Sequence, residues 1–201
     1  VAKQTGISRS NAYNSLASMT EKGAAYLVEE ASTRKYVPVP LNEFCKNRIR
    51  KLEESGKWLQ EHMPTEKAYV EGYITIEGAE NILNKIKNLL SQVDQRVYIS
   101  CTRNYLLLLI RELDTLMEER KKVVIITDQP ATFHNAKVYF GENRGMQIGI
   151  IADSKYVLTG EYGEGSMNTC LYSGQKNFVE LYKTALANEI KLLSIREENK
   201  D

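Results

Sequence analysis

Apolar positions along the first forty residues change period twice. Val1 to Thr5 reads as the end of a short helix, with Gly6 and Ile7 as its turn and Ser8 as the N-cap of a second helix reaching about Lys22. Ala12, Leu16 and Met19 fall at i, i+4 and i+7, one apolar face, and Gly23 supplies the stop. Ala25 to Glu30 and Arg34 to Val39 are rich in Tyr and Val, and the small polar link at 31–33 predicts a β-hairpin. From Leu41 to Met63 the period returns to a heptad: Cys45, Ile49, Leu52, Gly56, Leu59 and Met63 are spaced 4, 3, 4, 3, 4.

Beyond Pro64 the pattern alternates between strands and helices. Strands are predicted at 68–74, 96–101, 122–127, 136–140, 146–152, 156–162 and 169–173. Helices are predicted at 77–93, 103–120 and 175–195, the first with Ile82, Leu83, Ile86, Leu89, Leu90 and Val93 on its apolar face. Helices between strands, then a run of strands, imply a mixed sheet with helices packed on it. The expected class is α+β or α/β in three parts, with boundaries at Pro38, Pro40 and Pro64: residues 1–40, a linking amphipathic helix at 41–64, and a mixed-sheet domain at 65–201.

Composition removes several classes. The 201 residues are 42% hydrophobic and 26% charged, too apolar and too evenly charged for disorder. No apolar run approaches the roughly 18 residues of a membrane span. Three widely spaced cysteines, Cys45, Cys101 and Cys170, do not form a disulfide framework or a zinc pattern, and no signal peptide opens the chain, so a cytoplasmic location is expected. The net charge of +1 conceals an asymmetry. Residues 1–40 carry five Lys/Arg against three Asp/Glu, 41–63 five against four, and 64–201 17 against 19.

The basic end holds the candidate nucleic-acid chemistry. Ser8, Arg9, Ser10, Asn11 and Asn14 occupy the first turns of the second helix, with Arg34 and Lys35 near the hairpin tip. Short polar and cationic groups there reach base edges and phosphates when the helix enters a major groove. A helix, a glycine turn, a second helix and a basic hairpin form a winged helix-turn-helix, for which double-stranded operator DNA is the expected partner. The competing reading is a protein-interaction module that uses the same motif. The heptad residues Cys45, Ile49, Leu52, Leu59 and Met63 are the candidate dimer seam. A homodimeric coiled coil would present two recognition helices to two half-sites, whereas a helix packed on its own domain is the alternative. Trp58 lies off the seam and is expected to pack on a neighbouring domain.

The stretch "VAKQTGISRSNAYNSLASMTEKGAAYLVEEASTRKYVPVP" resembles the DNA-binding domain of TrmB-family transcriptional regulators, in which Leu16, Met19, Lys22, Gly23, Tyr36 and Pro38 fit the family pattern. The resemblance implies a domain that begins with further helical residues, so the chain is expected to start inside it. It also implies an effector domain like half of a phospholipase D fold. The catalytic motif of that fold is His-x-Lys, four residues, Asp, six residues, Gly-Ser-x-Asn. In "MQIGIIADSKYVLTGEYG" Asp153 and Gly160 keep the spacing, but Met146, Ile148, Glu161 and Gly163 stand at the His, Lys, Ser and Asn positions. The missing His is the nucleophile of that chemistry, so no catalytic residues, cofactor or metal are expected. The alternative is a phospholipase D-like phosphodiesterase with relocated residues. His62 and His134 are expected to be solvated or locally bonded, Asp153 to be a turn residue, and Gly165-Ser166-Met167-Asn168 to be a coincidence or a displaced loop.

Strand ends are the usual ligand crevice of open α/β sheets. Ser100, Cys101, Thr102 and Arg103, with Met146 and Ile148, are therefore the candidate pocket for a small-molecule effector, Arg103 being able to pair with an anion.

Overall fold

The computed structural model describes residues 1–30, 33–63, 72–130, 133–142, 144–165 and 167–198. They fall into two compact units, divided between residues 67 and 68.

The first unit contains α1 (Ala2–Thr5), α2 (Arg9–Glu21), β1 (Ala25–Glu30), β2 (Thr33–Pro38) and α3 (Leu41–His62). Local signals set its joints. Gly6 ends α1 in the left-handed conformation at φ 71°, and the Ser8 hydroxyl accepts the Asn11 N–H at 3.2 Å to cap α2. Gly23, at φ 73°, turns the chain into β1. β1 and β2 pair antiparallel from Ala25↔Pro38 to Glu30↔Thr33. The pairing runs one residue earlier on the second strand than its Tyr/Val composition predicts. Residues 31 and 32 of the expected turn lie outside the described residues. Ala12, Ala25 and Val39 are buried, and the Tyr26 hydroxyl donates to Glu43 Oε1 at 2.7 Å, tying the hairpin to the start of α3. Met19, on the predicted apolar face, is half exposed.

The second unit contains β3 (Tyr73–Glu77), α4 (Ala79–Ser91), β4 (Arg96–Ser100), α5 (Arg103–Leu107), α6 (Ile110–Glu118), β5 (Lys122–Thr127), β6 (Ala136–Phe140), β7 (Gln147–Ala152), β8 (Tyr156–Glu161), β9 (Thr169–Ser173) and α7 (Lys176–Glu198). Its seven strands are ordered β3-β9-β8-β7-β4-β5-β6, with β4, β5 and β6 parallel and the other neighbours antiparallel. The mixed α+β sheet read from the sequence is therefore present. Strand parity divides two cores. Ile99, Ile125, Ile148, Ile150 and Leu158 pack with Ile82, Ile86 and Leu90 of α4 and with Leu113 and Leu116 of α6. Val124, Ile126, Ile151 and Val157 pack with Val179, Leu186 and Leu193 of α7. Strands covered on both faces read as continuous apolar runs, as 123–127 and 148–152 do. Full burial of each such side chain is worth about 1.5–3 kcal/mol.

Two elements depart from the local pattern. The expected strand at 68–74 lies mostly on 64–71, outside the described residues, and the strand that forms is Tyr73–Glu77, selected by its register against β9, Tyr73↔Ser173 to Glu77↔Thr169. Gly78, at φ 90°, then starts α4 two residues later than expected. The single helix expected at 103–120 is two. Leu108 N–H and Leu109 N–H bond the carbonyls of Tyr105 and Leu106, three residues back. That tighter winding brings Leu106 and Leu109 with Leu113 into the core and leaves Leu107 and Leu108 outside.

Candidate nucleic-acid interface and candidate effector cavity

The N-terminal end of α2 is exposed throughout: Ser8, Arg9, Ser10, Asn11 and Asn14 all face solvent. Ser8 is engaged as the cap, while Ser10 and Asn14, one turn apart, share a helix face. The first turn carries no acidic residue, so the positive end of the helix dipole stands uncompensated beside Arg9. The composition of the helix start already contained that signal. On the hairpin, Arg34 Nε donates to Glu29 Oε1 at 3.0 Å with both side chains exposed, and Lys35 is exposed beside it. An exposed pair of this kind contributes at most about 1 kcal/mol, so a phosphate competes easily for the guanidinium.

α3 spans 22 residues, about 33 Å at the helical rise. None of its residues is buried: along the heptad seam, Cys45, Ile49, Leu52, Leu59 and Met63 are all exposed, Leu52 by 76%. Trp58 is also exposed and stacks on His62 one turn later, with ring centroids 4.5 Å apart. His62 Nδ1 lies 2.8 Å from the Trp58 carbonyl.

In the second unit, the positions aligned with the phosphodiesterase motif are occupied by other structure. Ile148 is 2% exposed, in the core with α4 and α6, and Met146, in the turn before β7, is 40% exposed. Gly163 has φ 140°, and a Cβ there would lie 1.6 Å from the Tyr105 hydroxyl, so the motif's Asn has no room. Tyr105 meets Tyr162 edge-on at 4.9 Å. Asn168 bonds the Gly163 main chain in both directions: Gly163 N–H donates to Oδ1 at 2.9 Å and Nδ2 donates to the carbonyl at 3.2 Å. Gly163 and Asn168 thus hold each other across this stretch, in which Ser166 lies outside the described residues. His134 is exposed after β5.

Asp153 does more than turn the chain. At φ 51° it accepts the N–H groups of Asp94, Gln95 and Arg96 at 2.8–2.9 Å, closing the α4–β4 loop onto the β7–β8 turn. Partial burial pushes its pKa up, but the three N–H donors and Lys155 outweigh it, and the carboxyl titrates below its ordinary value. Stability from this group is therefore complete above an unfolded pKa near 3.9 and is lost as pH falls through the lower folded value. Asp153→Ala is expected to cost about 1–3 kcal/mol at pH 7. In urea titrations at pH 7 and pH 2, the gap from wild type should narrow at the acid end; an equal gap at both would show that the carboxylate charge contributes nothing.

A cavity of about 350 Å³ opens on the α7 face of the sheet. Its walls include Ser100 of β4, Gln147 and Gly149 of β7, Thr159 and Glu161 of β8, Arg144, and Tyr182 and Glu189 of α7. Gly149 makes room for Tyr182, whose hydroxyl would lie 1.6 Å from any Cβ there. Thr159 donates to that hydroxyl at 3.2 Å, and burial raises the phenol's pKa, keeping it protonated. Of the six candidate effector residues, Ser100 and Ile148 border this cavity. Cys101 is fully buried in the other core, where burial pushes its thiol to about 12. Thr102 precedes α5, and Arg103 is exposed, with its main-chain N–H donating to Asp128 at 2.9 Å. Parity separates the set: Ser100 faces α7, whereas the Ile148 side chain packs with α4 and α6 and Met146 lies in the turn before β7. Arg144, Tyr182 and Glu189 carried no sequence signal, since only the docking of α7 assembles them. Among the described residues no cluster of His, Cys, Asp and Glu could hold a metal ion, and no helix is long and apolar enough to cross a membrane.

Comparison with known proteins places this geometry in context. No protein-family profile matches the chain. The uncharacterized protein YrhO of Bacillus subtilis (strain 168) is 30% identical over 143 residues, which cover 69% of this chain and 51% of YrhO; the chain spans about half the length of this curated relative. Among solved structures, TrmBL2, an archaeal chromatin protein described as showing a novel mode of DNA binding, is similar with a TM-score of 0.51 and 16% identity over 95% of this chain and 84% of that one. The shared feature is the fold, along nearly the whole chain. Nuc from Salmonella typhimurium, a phospholipase D family member, superposes on 58% of this chain and 92% of its own with a TM-score of 0.46 and 10% identity.

Proposed function

We propose that the chain is a DNA-binding transcriptional regulator of TrmB type, that it acts as a homodimer, and that its second unit senses a small molecule without catalysing a reaction. The observation that carries the DNA reading is the acid-free, fully exposed start of α2, with Arg9, Ser10, Asn11 and Asn14, followed by a hairpin bearing Arg34 and Lys35. The fold likeness to TrmBL2, a protein described as binding DNA, supports it. The exposed seam of α3 supports self-pairing, because an apolar stripe of this length in water favours a second helix. Effector control would act by shifting the spacing of the two recognition helices through α3, and requires that the effector bind one arrangement more tightly than the other. Met146, Ile148 and the Tyr105 hydroxyl over Gly163 support a non-catalytic second unit.

The test is a mobility-shift titration on the DNA upstream of the chain's own gene, repeated across salt concentrations. Arg9→Ala and Arg34→Ala are each expected to weaken binding about tenfold or more. Arg34→Ala, lost from both protomers, should reduce the slope of log affinity against log salt by roughly 2. Wild-type affinity no greater than for random duplex, or unchanged slopes, would overturn the reading. Leu52→Glu should shift the sedimenting species from dimer to monomer.

A further inference from the structure

Arg144 is a cation set into the wall of the α7-face cavity. Its side chain is only 10% exposed. Nη2 pairs with Glu189 Oε1 on α7, Nη1 donates to the Ser100 hydroxyl at the end of β4, and Nε is buried with no partner among the described residues. A guanidinium has five N–H donors, so these two bonds leave it well short of satisfied, and an unmet buried donor disfavours the arrangement that contains it. Two hydroxyls complete a donor group. Ser100 accepts from Arg144 and Tyr182 accepts from Thr159, which leaves the hydrogen of each to donate. The charged acceptors lining the same cavity are the carboxylates of Glu189 and Glu161, beside the amide of Gln147.

This wall therefore holds one cation and two anions. A simple anion such as phosphate would meet an excess of negative charge, and a simple amine would leave the Arg144 donors unmet. A molecule carrying both groups matches both halves. At about 350 Å³ the cavity lies at the small end of ligand sites.

We propose that this cavity binds a free amino acid, its carboxylate on Arg144 with the Ser100 and Tyr182 hydroxyls, and its ammonium on Glu189 and Glu161. In the unliganded protein the Arg144–Glu189 pair stands in for the two charges of the ligand. Binding exchanges that internal pair for two pairs to the ligand, and in doing so changes how α7 is held against β4. This deepens the sensing part of the proposed function and rests on it.

The experiment uses the whole chain. Thermal shift and titration calorimetry are run with each proteinogenic amino acid, then with the N-acetyl and decarboxylated forms of those that bind. At least one free amino acid is expected to bind saturably, and both modified forms to fail. Arg144→Lys, which keeps the charge but loses the fork, should weaken binding roughly tenfold or more, and Glu161→Gln, at an exposed side chain, about threefold, while circular dichroism stays native. The site is overturned if no amino acid binds, if the N-acetyl form binds equally, or if both folded variants bind as wild type does. DNA affinity is measured separately with and without the amino acid. Binding that leaves DNA affinity unchanged keeps the site and removes the sensing role; intact DNA binding with no amino-acid binding removes the site alone.

Discussion

Ile148→Lys, the substitution that would restore the motif's lysine, is expected to destabilise the second unit by about 5 kcal/mol, enough to unfold a domain of ordinary stability. Ile148 is 2% exposed and its neighbours on that face are the isoleucines and leucines of β7, α4 and α6. The variant loses the burial of an isoleucine and gains an ammonium with no anion beside it. The two costs add, because the α4/α6 core into which the side chain packs offers no counter-charge, the cavity carboxylates of Glu161 and Glu189 lying on the α7 face. Urea unfolding followed by circular dichroism measures it. A loss below about 1 kcal/mol would mean that the lysine reaches solvent past Met146, and that this position is a surface site after all. Adding Met146→His to such a protein should give no phosphodiesterase activity, because Tyr105 still fills the space over Gly163 where the motif carries Asn.

The second large effect is expected at Gly160. This residue keeps the spacing of the motif glycine, but its role in the fold is packing. It sits opposite Cys170 in the β8–β9 pair at φ 159°, and a Cβ would lie 2.2 Å from the Thr169 carbonyl oxygen and 2.6 Å from Cys170 Cα. These are main-chain atoms of the adjacent strand, which no rotamer change can move. Gly160→Ala must therefore spread or bulge the pair, at a cost of about 3 kcal/mol, lowering Tm by roughly 10 °C for a unit of this size. Differential scanning calorimetry reads it directly. Gly165→Ala, whose Cβ would meet only the end of Met146 at 3.6 Å, bears the backbone penalty of φ 79° without the collision and should lose less. Equal losses at the two glycines would show that backbone conformation, and not strand contact, governs Gly160.

How much was legible from residues alone follows the range of the forces involved. Ser8 and Gly23 bound α2 through contacts a few residues long, the apolar face of α4 repeats within its own turns, and 122–127 and 147–152 are apolar enough to be strands in any mixed sheet. The absence of His and Lys at 146 and 148 is a matter of identity, visible without coordinates. Each of these was determined by the sequence itself, because a cap, a period or a missing side chain needs no distant partner. What depended on distant partners was decided by the tertiary structure. β3 took 73–77 because β9 offered that register, and the helix at 103–118 broke because Leu106, Leu109 and Leu113 had to reach one core. Asp153 met N–H groups 57–59 residues away. Arg144 met Ser100 and Glu189 across 44 and 45 residues, building a cavity on the α7 face of the sheet. The Ile148 side chain packs in the α4/α6 core although the residue also borders that cavity, because strand parity sends neighbouring side chains to opposite faces, and only the docking of α7 on one of them determines which polar groups end up together.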